Sequence, residues 1–237
     1  MRTTLIRGVL DLVWPPRCAV CDAWFEPPAD SWYEVDGRAV MHHRCRERLG
    51  PATELVVRPH RDGTPVHALL ADCPAWFAIL HRVKYGGEAP VLAPWIDALV
   101  GAVLAGGGLP PRSVVAPVPD DPARLRQRGF SPVRRIAVAL ARASGARLRV
   151  DLVRRRRPAP SQTGRADDRA RRRNVDGVFG VGRLAEIAVD APVVLVDDQI
   201  TSGATVAACA DQLRTRGNPI AVVVLARARR APRLLQP

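Results

Sequence analysis

Lysine is almost absent from this chain: Lys84 is the only one among 36 basic residues, and the rest are arginine. Aromatic residues make up only 5% and methionine occurs twice, so the core is built mainly from Ala, Val and Leu. Base-stacking surfaces for single-stranded nucleic acid need aromatics interleaved with cations, and the arginine runs contain none. Acidic residues are also short, 23 against 36 basic, which leaves a net charge of +13 and a pI near 11.1. Uniform arginine usage beside abundant Ala, Gly and Pro reads as a compositional habit, with a dedicated polyanion groove as the alternative. No apolar run is long enough for a bilayer, which needs ~20 residues. The best stretch, Val91 to Leu109, contains Pro94, Asp97 and Gly106 to Gly108. Asp11 interrupts the N-terminal apolar stretch before a signal-peptide core develops; Leu5, Val9, Leu12 and Val13 instead share a helical face. A cytoplasmic location is expected, with the five cysteines starting as thiols.

What remains is globular. Of 237 residues, 47% are hydrophobic and 25% charged, which excludes wholesale disorder. The chain changes character near residue 60. Before it lie Pro15-Pro16, Pro27-Pro28, Cys18, Cys21 and Cys45, with two short strands expected between Trp32 and Val40 around Asp36-Gly37. After it come helical patterns at Ala68 to Tyr85 and Val91 to Leu104, then strands and helices in alternation. Strands are expected at Val114 to Val118, Leu148 to Val153, Val193 to Val196 and Ile220 to Leu225. Helices are expected at Ser131 to Ala143, with Val133, Ile136, Ala137 and Leu140 inward, and from Ala204 to Arg216. That alternation predicts an α/β fold with a parallel sheet flanked by helices. The organisation expected is a helix and metal-binding module over 1–60, an α/β domain over 61–229, and a flexible tail over 230–237. A polar, arginine-rich stretch runs from Arg154 to Asn174.

Cys18-Ala-Val-Cys21 is followed by His42-His43-Arg44-Cys45. Two tight pairs of soft or borderline ligands are the usual way to enclose tetrahedral Zn²⁺. A segment this short cannot bury much apolar surface, so a metal would supply the missing folding energy. With Cys18, Cys21, His42 and Cys45 all protein ligands, the site is closed and structural. The spacing favours His42, with His43 as the alternative. Cys73 and Cys209 sit in apolar helical contexts and read as core thiols.

The segment Val193 to Thr205 carries the most chemistry: a buried strand, Asp197-Asp198, then Gln199-Ile200-Thr201-Ser202-Gly203-Ala204-Thr205 opening a helix. Backbone N–H groups of Thr201 to Thr205, including Ala204, suit a phosphate at a helix N-terminus. The hydroxyls of Thr201, Ser202 and Thr205 add donors, and Gly203 permits close approach. The two carboxylates lie where vicinal ribose hydroxyls would donate to them, and are expected to be solvated without ligand. Carboxyl ends of parallel strands are where open α/β sheets bind ligands.

This order resembles the phosphoribosyl pyrophosphate (PRPP) motif of type I phosphoribosyltransferases. The N-terminal Cys18 and Cys21 module, Lys84-Tyr85-Gly86, Val118-Pro119 before Arg128-Gly129-Phe130, and Gln162 leading to Arg171-x-x-Asn174 before Phe179 narrow the resemblance to the ComF-like, competence-associated subfamily. Ser131-Pro132 and Arg165 depart from its pattern. The resemblance implies a type I phosphoribosyltransferase-like sheet with a zinc-ribbon-like module. It implies Mg²⁺-dependent transfer of ribose 5-phosphate from PRPP to a nitrogen acceptor, with pyrophosphate released. Asp197 and Asp198 would be the catalytic pair, Arg171 a PRPP contact from a mobile loop, and amides around Asp120 and Asp121 a second pyrophosphate contact. The alternative is a non-catalytic protein that responds to PRPP or a nucleotide, or that assists uptake of single-stranded DNA beside a helicase. The acceptor is not legible.

Overall fold

The computed structural model describes residues 17–18, 20–21, 23–25, 32–35, 38–47, 54–71, 76, 79–80, 83–84, 89–157, 175, 177–182, 187–188, 190–215 and 217–227. The expected N-terminal helical face, Asp36-Gly37, Cys73, Tyr85-Gly86, the segment 158–174 with Arg171, and the tail 228–237 lie outside the described residues. The chain divides into two compact units, Met1–Pro51 with Pro74–Pro94, and Ala52–Cys73 with Trp95–Pro237.

In the first unit, β1 (Trp32–Val35) and β2 (Arg38–His42) pair antiparallel, with Val35 opposite Arg38 and a register shift between Tyr33 and Glu34. The last residue of β2, His42, leads directly into α1 (His43–Glu47). Trp76, Ile79, Leu80 and Val83 are buried at helical spacing, as the apolar pattern of that region predicts. The beginning of the expected helix is a correction: Ala68 to Ala71 are not helical.

They belong to the second unit, which holds β3 (Val56–Pro59) and β4 (Pro65–Ala71). A short run such as Pro65–Ala71, apolar but for His67, fits a strand as well as a helix. Pairing settles the choice, because β4 lies between β3 and the last strand of the chain, Ile220–Arg227. After α2 (Ala93–Ala105) come β5 (Val114–Pro117), α3 (Pro122–Arg128), α4 (Pro132–Ser144) and β6 (Arg147–Leu148). Then follow β7 (Val153–Arg155), β8 (Phe179–Val181), β9 (Val193–Ile200), α5 (Ala204–Arg214) and β10 (Ile220–Arg227). The single strand expected at Leu148 to Val153 is divided. β6 pairs with β5, β7 pairs with β8, and an Arg149 Nε to Asp151 Oδ1 ion pair of 3.1 Å sits between them.

The six-stranded sheet has the order β3-β4-β10-β9-β5-β6, all parallel except β3. Parallel strands covered on both faces read as continuous apolar runs, and every residue of β5 and the first four of β9 are buried. Val133, Ile136, Ala137 and Leu140 form the inward face of α4, as their spacing predicts. The chain leaves β5 toward β6 but leaves β9 toward β10 on the other side. With right-handed crossovers, α4 and α5 therefore cover opposite faces. The reversal creates a crevice between β5 and β9 at their carboxyl ends, where open α/β sheets bind ligands.

Candidate functional site

The first unit brings together four side chains of metal-ligand type. Ligand atoms of Cys18, Cys21, His42 and Cys45 all lie within 4.8 Å of one another. The turn that presents Cys18 is closed by its N–H donating to Ala23 O at 2.8 Å. β2 delivers His42 and the first turn of α1 delivers Cys45. His42 is buried and tilts against Phe25 with ring centroids 4.9 Å apart, and its Nδ1 is 3.5 Å from Cys21 Sγ. His43, the next residue, is exposed and outside the cluster. His42 is the last residue of β2 and His43 the first of α1, so the two side chains diverge where strand gives way to helix.

Burial, then the neighbouring Cys21 and Cys18, pushes the Cys45 thiol up to about 12. At Cys21 burial acts upward too, but hydrogen bonds from the Ala23 backbone, Cys18 and Cys45, with Arg44 nearby, outweigh it and hold the thiol below its usual value. Three thiolates packed so closely repel unless a cation sits among them. Three sulfurs and one imidazole nitrogen are the donor set of structural tetrahedral sites. The residues present fit such a metal.

In the second unit, Asp197 and Asp198 stand near the carboxyl end of β9, which continues through Ile200. Successive strand side chains point to opposite faces. Asp197 is half-buried, whereas Asp198 is only 5% exposed. The expectation of a solvated pair is therefore corrected for Asp198. The Asp198 N–H donates to Asp197 Oδ1 at 2.8 Å, which orients the first carboxylate.

Beyond β9 the chain turns through Thr201 and Ser202 to Gly203, which caps α5 with φ 74° and no side-chain hydrogen bond. Thr201 is exposed, Ser202 and Thr205 are half-buried, and Gly203 and Ala204 are buried. Ser202 Oγ accepts weakly from Ala204 N–H at 3.4 Å. The loop thus presents hydroxyls and helix N-terminal amides beside two carboxylates.

Gly203 is required for two reasons. Its φ is one that L side chains rarely adopt, and an added Cβ would lie 2.4 Å from His60 Nε2. His60 follows β3, and sequence reasoning missed it. It reaches Ser202 O with Nε2 at 3.3 Å and lies with Nδ1 3.1 Å from Asp62 Oδ1.

Across the crevice, β5 is followed by Val118-Pro119-Asp120-Asp121. Amides here were expected to meet pyrophosphate. The amides of Ala123 and Arg124, farther along, donate to the Asp121 carboxylate at 3.0 and 3.2 Å, capping α3. Burial acts upward on Asp121, but those amides with Arg155 and Arg124 hold its carboxyl below the usual range. Ser131 donates from its hydroxyl to Asp120 and accepts from Arg134 N–H at 2.9 Å, so Ser131-Pro132 forms a cap and first turn for α4. Arg155 on β7 stacks over Phe179 at 5.1 Å and stands 3.8 Å from Asp121 Oδ2. Its buried Nε–H has no hydrogen-bond partner among the described residues. Cys209 is a core thiol, pushed well above its usual value first by burial and then by the charge of Asp197. A separate cavity of about 370 Å³, lined by Arg112, Ser144 and Arg147 among others, lies at the amino end of β5, away from the acid pair.

No family model matches the chain, and no curated protein does. Among solved structures it is similar to an adenine phosphoribosyltransferase (15% identity, TM-score 0.39, covering 73% of this chain and 84% of the other). A second is adenine phosphoribosyltransferase from Saccharomyces cerevisiae complexed with an imino-altritol bisphosphate and adenine (16%, 0.38, 73% and 83%). A third is the enzyme from Leishmania tarentolae (13%, 0.36, 62% and 74%). The α/β architecture itself stands on the strand order and crossovers described above.

Proposed function

We propose that the second unit binds PRPP and acts as a type I phosphoribosyltransferase of the ComF-like kind, transferring ribose 5-phosphate to a nitrogen acceptor and releasing pyrophosphate. The observation that carries this reading is the placement of Asp197-Asp198 and the Thr201–Thr205 loop at the reversal of strand order, beside the loop that follows β5. An acidic pair meets ribose hydroxyls, and a loop of amides and hydroxyls at a helix start meets a 5-phosphate. The two halves of one ligand are served by one crevice.

Cleavage at C1 builds oxocarbenium-like positive charge on the ribose and negative charge on the leaving pyrophosphate. Nothing covalent is asked of the protein; positioning and electrostatics carry the reaction. Asp197 and Asp198 hold the ribose hydroxyls and place negative charge near the sugar. Thr201, Ser202, Gly203, Ala204 and Thr205 hold the 5-phosphate. Arg155, anchored on Phe179 beside Asp121, is a cation on the pyrophosphate side, and Arg171 belongs to the segment assigned to closure over the ligand. Mg²⁺ bound with PRPP would neutralise charge on the pyrophosphate. In the first unit Cys18, Cys21, His42 and Cys45 would hold Zn²⁺, which would supply folding energy and no chemistry.

Incubation with Mg-PRPP and a panel of bases and amines, following pyrophosphate release, tests the proposal. Acceptor-dependent release is expected. PRPP binding with no release above background would favour a PRPP-responsive, non-catalytic protein, the reading that also accommodates a DNA-uptake role. No binding would reject both.

A further inference from the structure

We infer that His60 is a positioning residue for the phosphate loop, setting the direction of the Gly203 amide from the opposite side of the peptide plane. The inference rests on the functional reading above. The Ser202 carbonyl points at His60 Nε2, 3.3 Å away. In a trans peptide the C=O and the following N–H point in opposite directions. Holding the Ser202 oxygen on the imidazole therefore turns the Gly203 N–H away from the ring, to the side on which a phosphate is cradled.

The ring also fills the space a Cβ at residue 203 would need, with Nε2 and Cδ2 within 2.4 and 2.5 Å of that position. Glycine and histidine are thus a matched pair. Any side chain at 203 displaces the ring, and removing the ring frees a peptide whose flanking glycine has wide conformational choice.

His60 is itself braced. Its Nδ1 faces Asp62 Oδ1 at 3.1 Å. Asp62 accepts from Thr64 N–H at 2.9 Å and Thr64 Oγ1 at 2.7 Å, and from Arg214 Nη2 at 3.0 Å. Arg214 lies in the last turn of α5, the helix that the loop opens. The turn between β3 and β4 therefore grips α5 near its end and the loop at its start. Both ring nitrogens face oxygens, Nδ1 the Asp62 carboxylate and Nε2 the Ser202 carbonyl.

Two variants separate shape from hydrogen bonding. His60→Phe keeps a flat ring without a donor, and His60→Gln offers an amide N–H near the place of Nε2. Calorimetric titrations with ribose 5-phosphate and with Mg-pyrophosphate, together with melting temperatures, form the readout. His60→Phe is expected to weaken ribose 5-phosphate roughly tenfold, the scale of one hydrogen bond, and to leave Mg-pyrophosphate unchanged. His60→Gln should recover most of the loss. Wild-type affinity for ribose 5-phosphate in His60→Phe, or equal weakening of both ligands alongside a lowered melting temperature, overturns the inference. Wild-type chain that binds neither ligand overturns the functional reading instead.

Discussion

Asp62 shows how a single side chain ties a strand turn to a helix. Burial alone would raise its pKa, but hydrogen bonds from Thr64, Arg214 and His60 outweigh that and hold the carboxyl well below the usual carboxylate range. A depressed native pKa contributes stability that is fully present above the unfolded value of ~3.9 and is lost as pH falls below it. Asp62→Asn should therefore destabilise the chain by about 1–2 kcal/mol at pH 7, with the difference shrinking as the pH falls through ~4 to ~2. Urea unfolding across that range checks it; an equal deficit at pH 7 and at pH 2 would show that the carboxylate charge is not what matters. Position 203 marks the limit of sequence reading at this scale. A glycine opening a helix after Thr201-Ser202 was legible from the sequence. Its partner was not, because His60 lies 142 residues from Ser202 in sequence and no local pattern connects them.

Among the elements, those with a strong local signal appear where the sequence places them. Ser131, Pro132 and an apolar stripe at 3.6-residue spacing specify α4, and β9 and β10 were legible as unbroken apolar runs. Ala68 to Ala71 carried no such signal, since a short apolar run fits either period until a neighbouring strand is available. The break between β6 and β7 was hidden for the same reason: each half answers to a different partner strand. The cysteine pairs were legible because metal-ligand motifs have a fixed spacing; choosing between His42 and His43 needed the strand-to-helix junction, which buries one and exposes the other. One zinc equivalent per chain is expected. Cys18→Ser should reduce it below about half an equivalent, and chelation should release amide protection over 17–47 while β9 and β10 keep theirs. Metal analysis with hydrogen exchange checks both. Protection unchanged in metal-free protein would remove the folding role.

At the scale of the whole molecule, two properties bear on the proposed function: the reversal of strand order and the net charge of +13. The alternation of strands and helices made a parallel sheet legible, but not the order of its strands, and the crevice exists only because that order reverses between β5 and β9. The charge was legible from composition and identifies no partner by itself. If it is background, single-stranded DNA binding should be weak and should collapse between about 50 and 200 mM salt through counterion release. Fluorescence anisotropy across that range checks this, and tight binding at the upper end would favour a DNA-uptake role. The acidic pair bears most directly on the central claim. A calorimetric titration of Mg-PRPP into wild-type protein and into Asp197→Asn/Asp198→Asn compares charge at nearly constant shape. Charge-assisted hydrogen bonds are worth ~1.5–3 kcal/mol each. Saturable wild-type binding, weakened about tenfold or more in a variant that still melts cooperatively, is the predicted result; unchanged affinity in that folded variant would contradict it.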